Sequence, residues 1–303
     1  MANTSIPARA LDARVPPKRA SAGRLRKLLK NWQGVVGLSL LALFGLTAVL
    51  APTLAPADPH KINFAHILSP PAWTNSELGF GILGTDSLGR DIMSRMLYGA
   101  RVSLLVGATA TLVGFGIGVP LGILAGYKGG RPDDVIMRIA DVQSAIPFLV
   151  LLIAILTFIG GGLINVVLFL GASSWVGFGR LVRGEALSVR SRDYVTAARA
   201  IGANEIWIMS RHVLPNVVAP LIIAASLSFG GMILTESALS FLGLGVPSSV
   251  PTWGNMLAES RQDILVAFGP SVFPGLAIVG VVLGANWTGD WLRDVLDPRL
   301  RGV

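Results

Sequence analysis

From Val142 to Gly179 the chain carries no Asp, Glu, Lys or Arg. Such a run of 38 residues (numbers 142–179) is too long for one straight crossing of a ~30 Å hydrocarbon layer, which takes about 20 residues at ~1.5 Å each. The triplet Gly160-Gly161-Gly162 offers a turn in its middle, so it reads as two spans, 139–159 and 163–179. Four further uncharged runs have the same character: Asn31–Ala57, Val102–Tyr127, Val213–Thr235 and Ile264–Gly289. The stretch Ser237–Ala258 is also uncharged, yet Gly243, Gly245, Pro247, Pro251 and Gly254 interrupt it. Freed backbone groups of that kind are not satisfied by lipid, so this stretch belongs in protein or at the surface, and the count is six spans. An apolar content of 52% and a charged content of 14% exclude a soluble enzyme and a disordered chain alike. The fold class is all-α, a polytopic membrane protein.

Charge then gives orientation. The net charge is +8, and 20 of the 25 Lys and Arg fall in 1–30, 128–138, 180–212 and 290–303. Cytoplasmic loops carry the excess of Lys and Arg, which places both termini inside. The chain divides into a basic tail and interfacial helix (1–30), a first span (31–57), an external segment (58–101), a five-span core (102–289) and a terminal tail (290–303). The first span reads as uncleaved, because its charged lead is long for a signal peptide. Residues 1–22 read as a tail, and Arg24–Lys30 as a short interfacial helix. The +8 is topology rather than a nucleic-acid footprint.

The spans are poor in chemistry. No cysteine is present, which removes disulfides and thiolate sites. His60, His66 and His212 all lie outside the apolar runs, so Gly171-Ala172-Ser173-Ser174 lacks a base and is no protease site. No phosphate-binding G-x-x-x-x-G-K-[ST] loop and no zinc motif occurs, so neither a catalytic residue, a cofactor nor a metal is assigned. Asp141 and Glu236 sit near span ends and read as caps or hydrogen-bonded structural carboxylates. Gly114, Gly118, Gly122 and Gly126 recur every four residues, and Gly280 and Gly284 repeat the spacing. Such stripes let helix backbones approach, either within the chain or against another subunit.

The loop 180–212 is the largest predicted cytoplasmic feature between spans. Tyr194, Ala197, Ala198 and Ile201 share one helical face, with Ser191 or Asp193 as start cap and Gly202 as a left-handed stop. Asn204 caps a second helix that ends at Pro215. A small-residue face suits a groove on another protein. A DNA-binding helix-turn-helix is the rival, set aside because spans flank the loop on both sides.

These residues resemble the EAA loop of ATP-binding-cassette importer permeases. Ala197-Ala198, Gly202 and Leu214-Pro215 match its pattern, while Thr196 replaces the glutamate and His212 the isoleucine. Gly84-Thr85-Asp86, Gly89-Arg90-Asp91, Ser94-Arg95 and the terminal Leu296-Asp297-Pro298-Arg299 resemble the second permease of the dipeptide, oligopeptide and nickel importers. The resemblance spans about residues 25–301 and implies a type I ABC importer permease fold with six transmembrane helices. It implies that Tyr194, Thr196, Ala197, Ala198, Arg199, Gly202, Leu214 and Pro215 dock an ATPase subunit. Gly84, Thr85, Asp86, Gly89, Arg90 and Asp91 form the family motif outside. The implied partners are a second permease, two ATP-binding subunits, a periplasmic solute-binding protein and the bilayer of a bacterial inner membrane. Peptide is the first choice of substrate, with nickel or another small solute as the alternative, and an ATPase-independent secondary transporter as the more distant one. Leu88, Ile92 and Met96 lie four apart, with Arg90, Arg95 and Arg101 off that stripe, which fits a helix resting on the outer lipid interface.

Overall fold

A computed structural model describes residues 31–74 and 79–296. The 1–22 tail, the Arg24–Lys30 helix and the terminal Asp297–Arg301 motif lie outside the described residues. We label the main helices α1 (Trp32–Val49), α2 (Ile92–Lys128), α3 (Gly130–Ser144), α4 (Phe148–Ile159) and α5 (Leu163–Arg190). There follow α6 (Asp193–Ala200), α7 (Leu214–Phe241), α8 (Trp253–Ser260) and α9 (Gly269–Leu296). Five helical stretches are long and apolar enough to cross a bilayer; α3 and α4 make a sixth if that pair, bent by 85°, is one span.

The bend is the main departure from a straight 139–159 span. Pro147 has no N–H to give and disfavours helical backbone at Ile146, so the helix breaks there. With 12 residues, α4 is only ~18 Å long and cannot cross alone. Instead α3 is fastened to α5 by ion pairs. Arg183 donates Nη2–H to Asp133 Oδ2 at 2.7 Å, and Arg180 donates to Asp141 Oδ1 at 2.8 Å. Asp141 is therefore a paired surface carboxylate. The triglycine turn forms as read, and Gly162 N–H donates to the Gly245 carbonyl at 3.2 Å.

The bundle is organised around α2, whose glycine stripe faces α5 of the same chain. A Cβ on Gly118 would meet the Trp175 carbonyl at 2.5 Å, and one on Gly122 the Gly179 carbonyl at 2.5 Å. Gly114 and Gly126 meet Ser174 and the Arg183 carbonyl in the same way. The intrachain alternative thus holds: absent side chains let the two backbones close, and dispersion across the seam takes the place of a hydrophobic drive that lipid does not provide. Ser174 donates to the Gly171 carbonyl at 2.8 Å and is a seam residue. The second stripe does the same for α1, with Gly284 against the Gly37 carbonyl and Leu40, and Gly280 against Phe44.

Helix bounds differ from the uncharged runs: several run past them into charged residues, while α1 ends at Val49, short of Ala57. α2 starts at Ile92 rather than Val102, α5 runs on to Arg190, and α9 covers 269–296 rather than 264–289. At 37 residues α2 reaches roughly 55 Å, so it stands well proud of a ~30 Å core. The 237–258 stretch is no seventh span. After Phe241 it forms a loop and then α8, whose Trp253 is fully buried between Ala100, Ile233 and Ala277.

Candidate functional site: a braced loop and a charge-clamped cavity

One end of the bundle carries residues 191–215. Two positions of α6, Val195 and Ala198, are buried against Tyr127, Val182, Val189 and Val213. The face read from the sequence is therefore split. Ala198 points into the chain's own core, while Tyr194, Ala197 and Ile201 remain outside, Ile201 at 84% exposure. The reason is that α5 continues to Arg190 and supplies a core for α6 to sit on. Arg192 is the N-cap, without a side-chain bond, and Asp193 occupies the first turn rather than the cap. Thr196 donates back to the Arg192 carbonyl at 3.4 Å.

Gly202 stops α6 as read, with φ +80°. Ala203 N–H donates to the Ala198 carbonyl at 3.1 Å and Gly202 N–H to the Arg199 carbonyl at 2.9 Å, the paired bonds of a Schellman turn. Asn204 caps the next turn by accepting from Ile206 N–H at 2.8 Å. Pro215 does not end that helix. A π turn over Met209–Val213 lets Leu214 N–H reach back to the Met209 carbonyl, and α7 continues to Phe241. The wider turn absorbs the donor that proline lacks. Leu214 and Pro215 stay exposed on its first turn.

Arg199 faces inward electrostatically. Its Nε donates to Tyr127 Oη at 3.1 Å and its guanidinium lies 4.7 Å from the Tyr127 ring centroid. It ties α6 to the end of α2 through cation–π and hydrogen bonding. The ring of Tyr194 packs 5.5 Å from His212, which packs 5.1 Å from Trp207. The loop is thus a braced unit with an apolar outer face.

The Gly84–Asp91 motif lies at the opposite end, where α2 begins. Gly89, at φ +71°, turns the chain so tightly that a Cβ would sit 1.8 Å from the Asn63 carbonyl. Thr85 bridges to Asp91 and donates to the His66 carbonyl. Asp86 Oδ1 accepts the N–H groups of Leu88 and Arg90, both at 2.9 Å. Its Oδ2 accepts from Arg90 Nε at 2.7 Å and Arg95 Nη1 at 2.5 Å. Asp91 caps α2 by accepting from Ser94 N–H at 2.7 Å.

Those arginines overturn the interfacial-helix expectation. Ile92 is buried as the stripe implied, but Arg95 is 2% exposed rather than on a wet face. Both arginines reach Glu259 Oε2, Arg90 at 2.6 Å and Arg95 at 2.7 Å. Two cations and two carboxylates balance, which is what permits them to lie out of water. Sequence reasoning missed Glu259, which is 164 positions from Arg95 and sits in no motif.

Beside Glu259 opens a cavity of about 590 Å³, framed by Gly161, the end of α7 with the loop that follows it to Ser248, and Arg261. Asn255 holds that loop by donating to the carbonyls of Val246, Pro247 and Val250 at 3.0–3.1 Å. Glu236 is wholly buried nearby, accepting from Ser240 Oγ at 2.8 Å and from Ser237 Oγ at 3.5 Å. Glu236 is therefore a hydrogen-bonded structural carboxylate.

Comparison with known proteins adds relatives to this geometry. Residues 118–302 match the binding-protein-dependent transport system inner membrane component family, and 23–71 match the N-terminal TM domain of oligopeptide transport permease C. The chain is 43% identical to the di/tripeptide transport system permease protein DppC of Pseudomonas aeruginosa (strain UCBPP-PA14), over 88% of each chain. It is 47% identical to the glutathione transport system permease protein GsiD of Pectobacterium atrosepticum, over 72% of this chain and 73% of that one. In fold it resembles a chain of the MetNI methionine ABC transporter solved in inward facing conformations, with TM-score 0.58, 20% identity, 68% of this chain and 98% of that one. The bent α3–α4 pair, the glycine seam and the braced loop are thus set in an importer permease fold, and the chain belongs to the binding-protein-dependent transport system inner membrane components.

Proposed function

We propose that the chain is one permease of a paired, ATP-driven peptide importer in a bacterial inner membrane, with both termini cytoplasmic. The reading assigns it a second homologous permease, two ATP-binding subunits that hydrolyse ATP, and a periplasmic solute-binding protein. The surplus of basic residues at the 191–215 end supports that orientation. Relatives named for dipeptides, tripeptides and glutathione, itself a tripeptide, support the substrate class.

The single observation that carries the mechanism is the form of the 191–215 loop. Its inner face is locked to α2, α5 and α7 through Val195, Ala198 and Arg199, while Ala197 and Ile201 face outward beside Tyr194, whose ring is braced on His212. A partner pushing on the outer face therefore moves the helices behind it, because packed elements shift as units between discrete arrangements. ATP-driven closure of the partner subunits turns this lever and switches the pathway between outward and inward openings.

Gly202 gives the test. A Cβ there meets nothing within 4 Å, but φ +80° strains any branched or bulky side chain, so a substitution at 202 disturbs the turn that sets the outer face rather than the packed core. Gly202→Leu should insert normally and retain ATP hydrolysis in the assembled complex, while uptake of a labelled dipeptide into proteoliposomes falls at least tenfold. Gly202→Asn, which tolerates the left-handed backbone, should keep most of the uptake. Normal uptake by Gly202→Leu would refute the lever.

A further inference from the structure

The cavity beside Glu259 is placed for more than packing. The triglycine turn that precedes α5 and the loop that follows α7 frame it, so it lies at the end of the bundle away from the docking loop. On the orientation proposed above, that is the side from which substrate arrives. Its 590 Å³ corresponds to a sphere roughly 10 Å across, and an extended peptide spans ~3.3–3.6 Å per residue. Two or three residues fit. The volume also falls within the ~300–1,000 Å³ of small-molecule sites.

Two ionisable side chains line it, Glu259 and Arg261. They stand in different electrostatic states. Glu259 belongs to the balanced cluster with Asp86, Arg90 and Arg95, and both of its arginine bonds fall on Oε2. Oε1 therefore keeps accepting capacity without carrying a full unpaired charge. Arg261, the C-cap of α8, is exposed and makes no ion pair or hydrogen bond among the described residues. An uncommitted guanidinium beside a neutralised carboxylate gives the cavity one net positive charge, in a fork that matches a carboxylate.

We infer that this cavity receives the free peptide on its way from the binding protein, with Arg261 holding the C-terminal carboxylate and Glu259 Oε1 accepting from the amino terminus. The inference rests on the peptide reading above and adds where, and by which groups, the peptide is read. A peptide with both ends free matches the two groups, and the net positive charge makes the carboxylate end the stronger determinant. Asn255 has its amide spent on three carbonyls and serves as a wall.

The test uses the complete transporter in proteoliposomes with binding protein saturated by labelled dialanine. Arg261→Gln should lower uptake at least fivefold, while stimulation of ATP hydrolysis by the loaded binding protein stays within twofold of wild type. Arg261→Lys, which keeps the charge and loses the fork, should recover half or more of the uptake. Uptake by Arg261→Gln within twofold of wild type overturns the assignment. So does a parallel loss of stimulated hydrolysis, which would make Arg261 a docking residue, and so does a loss that lysine leaves unrelieved. A wild-type complex that moves no peptide defeats the functional reading and this inference together. Wild-type uptake with an unimpaired Arg261→Gln defeats only the cavity assignment.

Discussion

Arg95 shows what a single residue carries in this fold. Its guanidinium is buried, touches Asp86 at 2.5 Å and Glu259 at 2.7 Å, and joins the start of α2 to the end of α8. Its Nε has no hydrogen-bond partner among the described residues, so the site already bears one unsatisfied donor. Removing the arginine leaves two carboxylates sharing Arg90 alone. Arg95→Met should therefore destabilise the protein by about 3–5 kcal/mol, the usual range for breaking a buried pair from one side. Thermal unfolding in detergent would show it, and Arg131→Met, at an exposed position, should shift the midpoint little. This residue was misread from the sequence for a definite reason. Periodicity at Leu88, Ile92 and Met96 found the buried Ile92, although Leu88 is exposed and precedes the helix, and it assigns every arginine off that stripe to water. Only a partner brought in from residue 259 reverses the assignment, and no local spacing encodes that encounter.

Elements were legible where their cause is local. The triglycine turn, the Gly202 stop and the Asn204 cap follow from backbone freedom and side-chain acceptors within a few residues, and all three form. The α3–α4 bend, the run of α7 through Pro215 and the inward turn of Ala198 were not legible. The first two are backbone responses to proline that an uncharged run does not display, a break before Pro147 and a π turn that takes up Pro215, while Ala198 turns inward because the last turns of α5 provide its seat. The glycine stripe of α2 lies between these cases, since spacing shows a seam but not its partner. The structure places α5 there, and a paired substitution tests it. In Gly118→Leu the new Cβ falls 2.5 Å from the Trp175 carbonyl and 2.7 Å from Phe178 Cβ, so the helices must part. Overpacking of this kind destabilises by about 1–3 kcal/mol. Gly116, two positions away, has nothing within 4 Å, so Gly116→Leu should leave stability unchanged or raise it by a few tenths of a kcal/mol through helix propensity. Equal losses from the two substitutions, read by unfolding of the detergent-solubilised protein, would place the seam elsewhere.

At the scale of the whole molecule, α1 stands apart from the other spans in how it is held. It lies along α9 and the first half of α2, with Gly34 against Trp291, Gly37 against Thr288 and Phe44 beside Trp253. Its remaining faces are exposed, with Leu38, Leu43, Leu46 and Val49 all more than half uncovered. In a bilayer such leucines and valine meet lipid without penalty, so α1 is held along one side, chiefly by its glycine-lined seam with α9 and further by α2 and Trp253, rather than by enclosure. Two consequences follow from that arrangement. The rest of the bundle can change shape while α1 travels with α9, and the seam can be broken without unfolding the core. The absence of native cysteine makes this measurable. Leu40 Cβ lies 3.2 Å from where a Cβ on Gly284 would stand, close to the ~3.5–4.5 Å that a disulfide spans. Leu40→Cys with Gly284→Cys should therefore cross-link readily under mild oxidation. Adding Gly37→Leu, whose Cβ would sit 2.9 Å from the Gly284 carbonyl, should abolish the cross-link while Gly118-type seams stay closed and the protein remains in the membrane fraction. Persistence of the cross-link in that triple variant would mean that α1 is clamped by more than this seam, and its independence from the core would have to be abandoned.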